Sequence, residues 1–122
     1  MTPCLLLPNQ PLTKYLPEFS ILPPLGFEPH PDNPIRIRTI LTRHSGLPGN
    51  LFNRGFTLKP GTDYNAWVFK YLRGKYACYP PDFIWSDSNT AYSLLGGVIS
   101  RVSGQSLEGY TDALFEKMEM ND

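Results

Sequence analysis

Cysteine and histidine are scarce in this chain, and no apolar run is long. Two cysteines, Cys4 and Cys78, and two histidines occur in 122 residues. The cysteines have no CxxC spacing and no histidine pair beside them, so zinc lacks a ligand set and no metal or cofactor is expected. A disulfide is open but not indicated, and Cys78, in "YACYP", is expected to be a small buried residue rather than a nucleophile. No stretch approaches the roughly 18 apolar residues of a membrane-spanning helix. The start, "MTPCLLLPNQ", has a short apolar run but no basic leader and no small-residue cleavage site, which makes a poor signal peptide. These absences leave the compartment open: cytoplasmic for the chain as given, with another compartment open to a longer protein. Net charge is zero, far from the basic balance of a nucleic-acid binder. GxGxxG, GxxxxGK[ST], HExxH and GxSxG are all absent, so nucleotide-binding, zinc-protease and esterase-elbow readings have no support. No spacing suggests the carboxylate pair of a glycosidase.

Proline is the residue in excess. There are 13, about twice the usual share of roughly 5%. Nine of them lie between Pro3 and Pro34. Each removes a backbone donor and biases its predecessor away from helix. Residues 1–34 are therefore expected to be an irregular arm, with a short helical turn around Leu12–Leu16 at most. Leu22, Leu25 and Phe27 are apolar enough to lay the arm on a body. An apolar content of 41% is ordinary for a globular protein, and the length fits one domain over 1–122.

From residue 35 the texture becomes helical. "IRIRTILTRHSGLPG" alternates at its start, as a strand would. Ile37, Ile40 and Leu41 are spaced for a helix, however, and Gly46 with Pro48 would stop one over about 36–44. In "KPGTDYNAWVFKYLRGKY", Thr62 or Asp63 can cap a second helix, Ala66, Val68, Phe69 and Leu72 give its apolar stripe, and Gly74 ends it. "SNTAYSLLGGVISRVSG" gives a third, with Tyr92, Leu95, Ile99 and Val102 at helical spacing and Gly104 past its end. Gly96-Gly97 in its middle marks a place where another backbone is expected to come close. "SLEGYTDALFEKMEM" gives a fourth, capped by Ser106, with Leu107, Tyr110, Leu114 and Met118 as its buried stripe. A three-residue link implies that the last two helices pack antiparallel. The expected class is mainly α, with about four helices behind a long proline-rich arm. No convincing strand, repeat or low-complexity tract is present.

Charge is unevenly placed. Residues 36–75 hold eight Lys or Arg against one acid, Asp63, and residues 76–122 hold seven acids against Arg101 and Lys117. Two halves that pack together and neutralise each other account for this. A basic face for phosphates is the less favoured reading. Side chains suited to nucleophilic chemistry are few. Ser45 follows His44, but adjacent residues at a helix end diverge, so they are badly placed to share a proton. His44 suits a last-turn cation facing the helix dipole or a packed ring, and His30 is expected to be solvated. That leaves Ser86 and Ser88 flanking Asp87 in "WSDSN", residues 85–89.

Four segments taken in order carry a resemblance. They are "PLTKYLPEF" (11–19), "IRIRTILTRHSGLPG" (35–49), "YPPDFIWSDSNTAYSLLGGVISRVSGQSLEGY" (79–110) and "LFEKMEMND" (114–122). They resemble consecutive stretches of the serine β-lactamase-related family, which includes class C β-lactamases, penicillin-binding DD-peptidases and related esterases. That family reads "KYLPEF", then "ITIRxLLTHTSGLP", a proline-glycine turn, "YSN", "LLGxxIExVSG" and a helix ending in "PLGM". The resemblance covers nearly the whole chain. It implies the helical subdomain of the β-lactamase/transpeptidase-like fold, without its sheet.

The resemblance also assigns roles. Ser88 and Asn89 match the second and third positions of the family's Tyr-Ser-Asn motif, and Asn89 would be the amide that orients the substrate and the catalytic lysine. Asp87 falls where the family has the tyrosine that serves as general base or proton relay. A carboxyl is shorter than a phenol and has a reference pKa of about 4 against about 10, so loss of the usual activity is the simpler expectation. Trp85 matches an apolar position and is expected in the core. No serine is followed three residues later by lysine, and no Lys-Thr-Gly occurs. The chain is thus expected to be a fragment of an acyl-enzyme hydrolase of β-lactam, peptide or ester bonds, inactive alone; the alternative is a non-catalytic helical interaction module derived from that fold. The implied partner is the missing catalytic half, or a second copy through an exposed apolar face. No nucleic-acid partner is implied, and the periplasm is open to the complete protein.

Overall fold

The computed structural model describes residues 6–28, 31–50 and 64–120. Within them five helices follow in chain order: α1 (Leu12–Tyr15), α2 (Ile37–Leu41), α3 (Tyr64–Leu72), α4 (Asn89–Ser103) and α5 (Leu107–Lys117). Among the described residues there is no strand, only isolated bridges pairing Pro11 with Arg36 and Leu22 with Tyr76. The mainly helical reading holds, and α1 is the short turn expected in the arm. His30, Cys4 and the caps Thr62 and Asp63 lie outside the described residues.

The fifteen-residue α4 is the hub, touching α1, α2, α3 and α5. Its buried face is Ala91, Leu94 and Val98, one helical row of three- and four-residue steps. The expected row of Tyr92, Leu95, Ile99 and Val102 is its neighbour around the helix. Leu95 and Val102 are only partly buried against the core, and Tyr92 is exposed. Around the Ala91–Leu94–Val98 face gather Val68, Phe69 and Leu72 of α3, Ile37 and Ile40 of α2, and Leu12, Leu16 and Phe19 of the arm. Ala66, expected in the α3 stripe, is exposed. The arm is fixed by these core residues rather than by Leu22 and Leu25, which are exposed, Leu25 by 73%. Backbone bonds stitch it down: Leu12 N–H to the Ile35 carbonyl (2.8 Å), Arg38 N–H to that of Pro8 (2.8 Å) and Leu22 N–H to that of Lys75 (2.8 Å).

The helix ends follow local chemistry. Ser88 caps α4 by accepting the Ala91 N–H, and Ser106 caps α5 by accepting the Gly109 N–H. Gly104, with φ +70°, ends α4 in the left-handed conformation. At Gly96 and Gly97 side chains approach rather than another backbone: the Leu107 Cδ2 lies 3.0 Å from where a Cβ on Gly96 would stand, and the Asn65 carboxamide 3.1 Å from one on Gly97.

One expectation for α5 fails. Leu107, Tyr110, Leu114 and Met118 do share a face, but they are 39–55% exposed, and no residue of the helix is buried. Periodicity marks which side chains share a face, whereas burial needs something to cover it.

Candidate active site

The candidate residues lie where two loops meet the start of α4. The first loop, 43–50, leaves α2. The second, 77–88, returns from α3. They cross at Gly46, whose carbonyl accepts the N–H groups of Cys78 (2.8 Å) and Tyr79 (3.3 Å). Its φ is +75°, and a Cβ there would collide with the Tyr79 carbonyl oxygen. Glycine therefore meets two requirements at once at this crossing.

Ser88 is buried, and its hydroxyl is engaged in both directions. It donates to the Pro48 carbonyl at 2.7 Å and accepts from the Ala91 N–H at 3.1 Å. Asn89 begins the helix. Its N–H donates to the Gly49 carbonyl (2.9 Å), and its exposed carboxamide donates to Asn50 Oδ1 at 2.7 Å. Asp87 is exposed, with Oδ1 3.7 Å from Arg43 Nε. Ser86 donates its N–H to the Arg43 carbonyl at 2.8 Å. Residues 87–89 thus stand at an exposed helix start: Asp87 and Asn89 face outward, and Ser88 is fixed beneath them.

The other candidates separate. His44 Nδ1 lies 2.7 Å from the Thr42 carbonyl beside the end of α2, which makes Nδ1 the protonated nitrogen. Ser45 is buried, and its Oγ accepts the Leu47 N–H at 3.3 Å. These neighbours take different partners, as their adjacency implies. Cys78 was expected to be buried and is exposed. Trp85 was expected in the core and is 57% exposed, with the Arg43 guanidinium 5.7 Å above its ring. Nearby in sequence, Phe83 packs edge-on against Phe27 (5.5 Å) and stacks with Tyr79 (6.3 Å).

Two ion pairs, Arg38–Asp82 and Arg43–Asp87, each at 3.7 Å, join the basic and acidic parts of the chain, in line with halves that neutralise each other. A third, Arg101–Glu18 at 2.7 Å, ties α4 to the arm. That guanidinium, with Glu18's own backbone, holds the Glu18 carboxyl below its ordinary value of 4.5. Sequence reasoning missed Arg43, Asn50 and Tyr92, whose phenol donates to the Leu41 carbonyl at 3.1 Å. Only the "SGLPG" text inside the 43–50 loop hinted at the first two.

A family model described as Beta-lactamase matches residues 5–122. Among solved structures, the crystal structure of beta-lactamase/D-alanine carboxypeptidase from Yersinia pestis, complexed with citrate, is similar with a TM-score of 0.67 and 26% identity. The match covers 94% of this chain and 32% of that one, so the chain spans about a third of its neighbour's length. Comparison with curated proteins gave no match. A family match over nearly every residue and a similar solved structure lead to one assignment: the chain belongs to the beta-lactamase family.

Proposed function

We propose that this chain supplies the substrate-orienting amide of a serine acyl-hydrolase and not its nucleophile. In the complete protein the reaction would be acyl-enzyme hydrolysis of a β-lactam, peptide or ester bond. The observation that carries the reading is the placement of Asn89. Its carboxamide stands at the exposed start of α4, beside Asn50, while its own N–H is fixed to Gly49. An amide held this way can donate to a substrate carbonyl or accept from an ammonium. Ser88 acts beneath it as a positioning residue, since cap and crosslink already engage its hydroxyl. The resemblance sets Asp87 at the position of the family's tyrosine, and its carboxylate faces the Arg43 guanidinium.

A covalent acyl-transfer site works as a unit, and without its nucleophile only residual effects remain. No Ser-x-x-Lys occurs in this sequence, so the chain by itself should not turn over. Purified chain incubated with nitrocefin and p-nitrophenyl esters tests this. Background hydrolysis is expected, and a burst that an acylating probe can titrate would overturn it. The uncovered apolar face of α5 supports a role for a partner. In the complete protein that partner would be the catalytic half; in isolation the same face would drive self-association. A clean monomer by light scattering that binds no hydrophobic dye would count against this.

A further inference from the structure

Arg43 combines a rare backbone conformation with contacts that converge on one turn. It is the second residue past α2, with φ +64°. A Cβ crowds the backbone in that region, and glycine is the usual occupant. The surrounding bonds are those of a Schellman stop: Arg43 N–H to the Ile40 carbonyl (3.1 Å) and His44 N–H to that of Thr39 (2.7 Å). This stop ends α2 at Leu41, before the Gly46 that sequence reading expected to do so. An arginine where glycine would suffice points to use of its side chain. Its Nε faces the Asp87 carboxylate at 3.7 Å, and its guanidinium lies over the Trp85 ring at 5.7 Å. Its carbonyl accepts the Ser86 N–H. The three partners are consecutive, and they directly precede the Ser88 cap and Asn89.

We propose that Arg43 is the positioning residue of the 85–89 turn. Its backbone holds Ser86, while its side chain clamps Trp85 and Asp87 on either side. The turn is thereby fixed in the orientation from which Asn89 presents its amide. A planar fork can lie on an indole and still reach a carboxylate; an ammonium on a flexible stem does this poorly. That the amide faces a substrate rests on the function proposed above, whereas the ordering of the turn does not.

Amide hydrogen exchange on the chain and on Arg43→Gly and Arg43→Lys tests this. Glycine keeps the left-handed backbone and its carbonyl, so the helix stop is retained. In Arg43→Gly the Ser86 and Asn89 amides should exchange about fivefold faster, the sum expected of one exposed ion pair and one cation–π contact. The Thr42 and His44 amides should not change, and Arg43→Lys should fall between. In a Trp67→Phe background, where Trp85 is the sole indole, acrylamide should quench Trp85 more readily in Arg43→Gly. If Arg43→Gly only raised the melting temperature and left Ser86, Asn89 and Trp85 as they were, Arg43 would be a helix stop and the proposal would fall. Exchange is read without turnover, so this outcome is separate from success or failure of the hydrolase reading.

Discussion

Replacing Ser88 by alanine removes one oxygen and two bonds. Loss of an N-cap side chain costs about 1 kcal/mol. The Pro48 carbonyl, reached by the Ser88 hydroxyl at 2.7 Å, loses its donor in a partly buried place, which costs about 1 kcal/mol more. The sum, about 2 kcal/mol, should lower the melting temperature of a domain this size by roughly 8 °C. Far-UV circular dichroism melts and urea titrations of the two proteins measure it. Ser88→Asp sharpens the test. Aspartate caps helices as well as serine does, but an ionised carboxylate cannot donate to a carbonyl. It should therefore also fall below the parent protein. If Ser88→Ala stayed within about 0.3 kcal/mol of the parent, or Ser88→Asp matched it, the hydroxyl would not be the pin that joins α4 to the 43–50 loop.

Gly46→Ala should destabilise the chain by about 2 kcal/mol or more, because alanine is strained at φ +75° and its Cβ meets the Tyr79 carbonyl; an unchanged urea midpoint would contradict this. Leu94→Ala, in the fully buried centre of α4, should cost about 3 kcal/mol. Leu114→Ala, on the uncovered face of α5, should cost about 1 kcal/mol or less, and Leu114→Glu should lower the scattering mass if that face drives association. Glu18 gives a pH dependence of known sign. Its folded-state pKa lies below the unfolded one, so its contribution is complete above about pH 4.5 and is lost as pH falls through the lowered value. Glu18→Gln should flatten the acid limb of the stability curve, and salt should do the same because the pair is half-exposed.

The helices were legible from the sequence where local chemistry decides them. Gly104 and Ser106 are capping residues whose function needs only a few neighbouring backbone groups, and both act as expected; Ser88 caps α4 by the same local chemistry. Burial was less legible, because it depends on what lies opposite. Trp85 and Cys78 look like interior residues by type, yet among the described residues both are exposed. The α5 stripe has the right period and no partner within the described residues. The α2 stop was misplaced because an arginine in the left-handed region has no sequence signature, whereas Gly46 has one and uses it for the loop crossing instead. At the site, a helix beginning at Ser88 and Asn89 was readable. The crosslinks to Pro48, Gly49 and Asn50 were not, since they join segments about forty residues apart.

The most direct test of the central claim is intact-mass spectrometry of the chain after incubation with a penicillin and with a fluorophosphonate, each in excess. Unmodified mass with both reagents is the result expected of a chain that holds the orienting amide without the nucleophile. A stoichiometric acyl or phosphonyl adduct mapped to Ser45, Ser86 or Ser88 would contradict it.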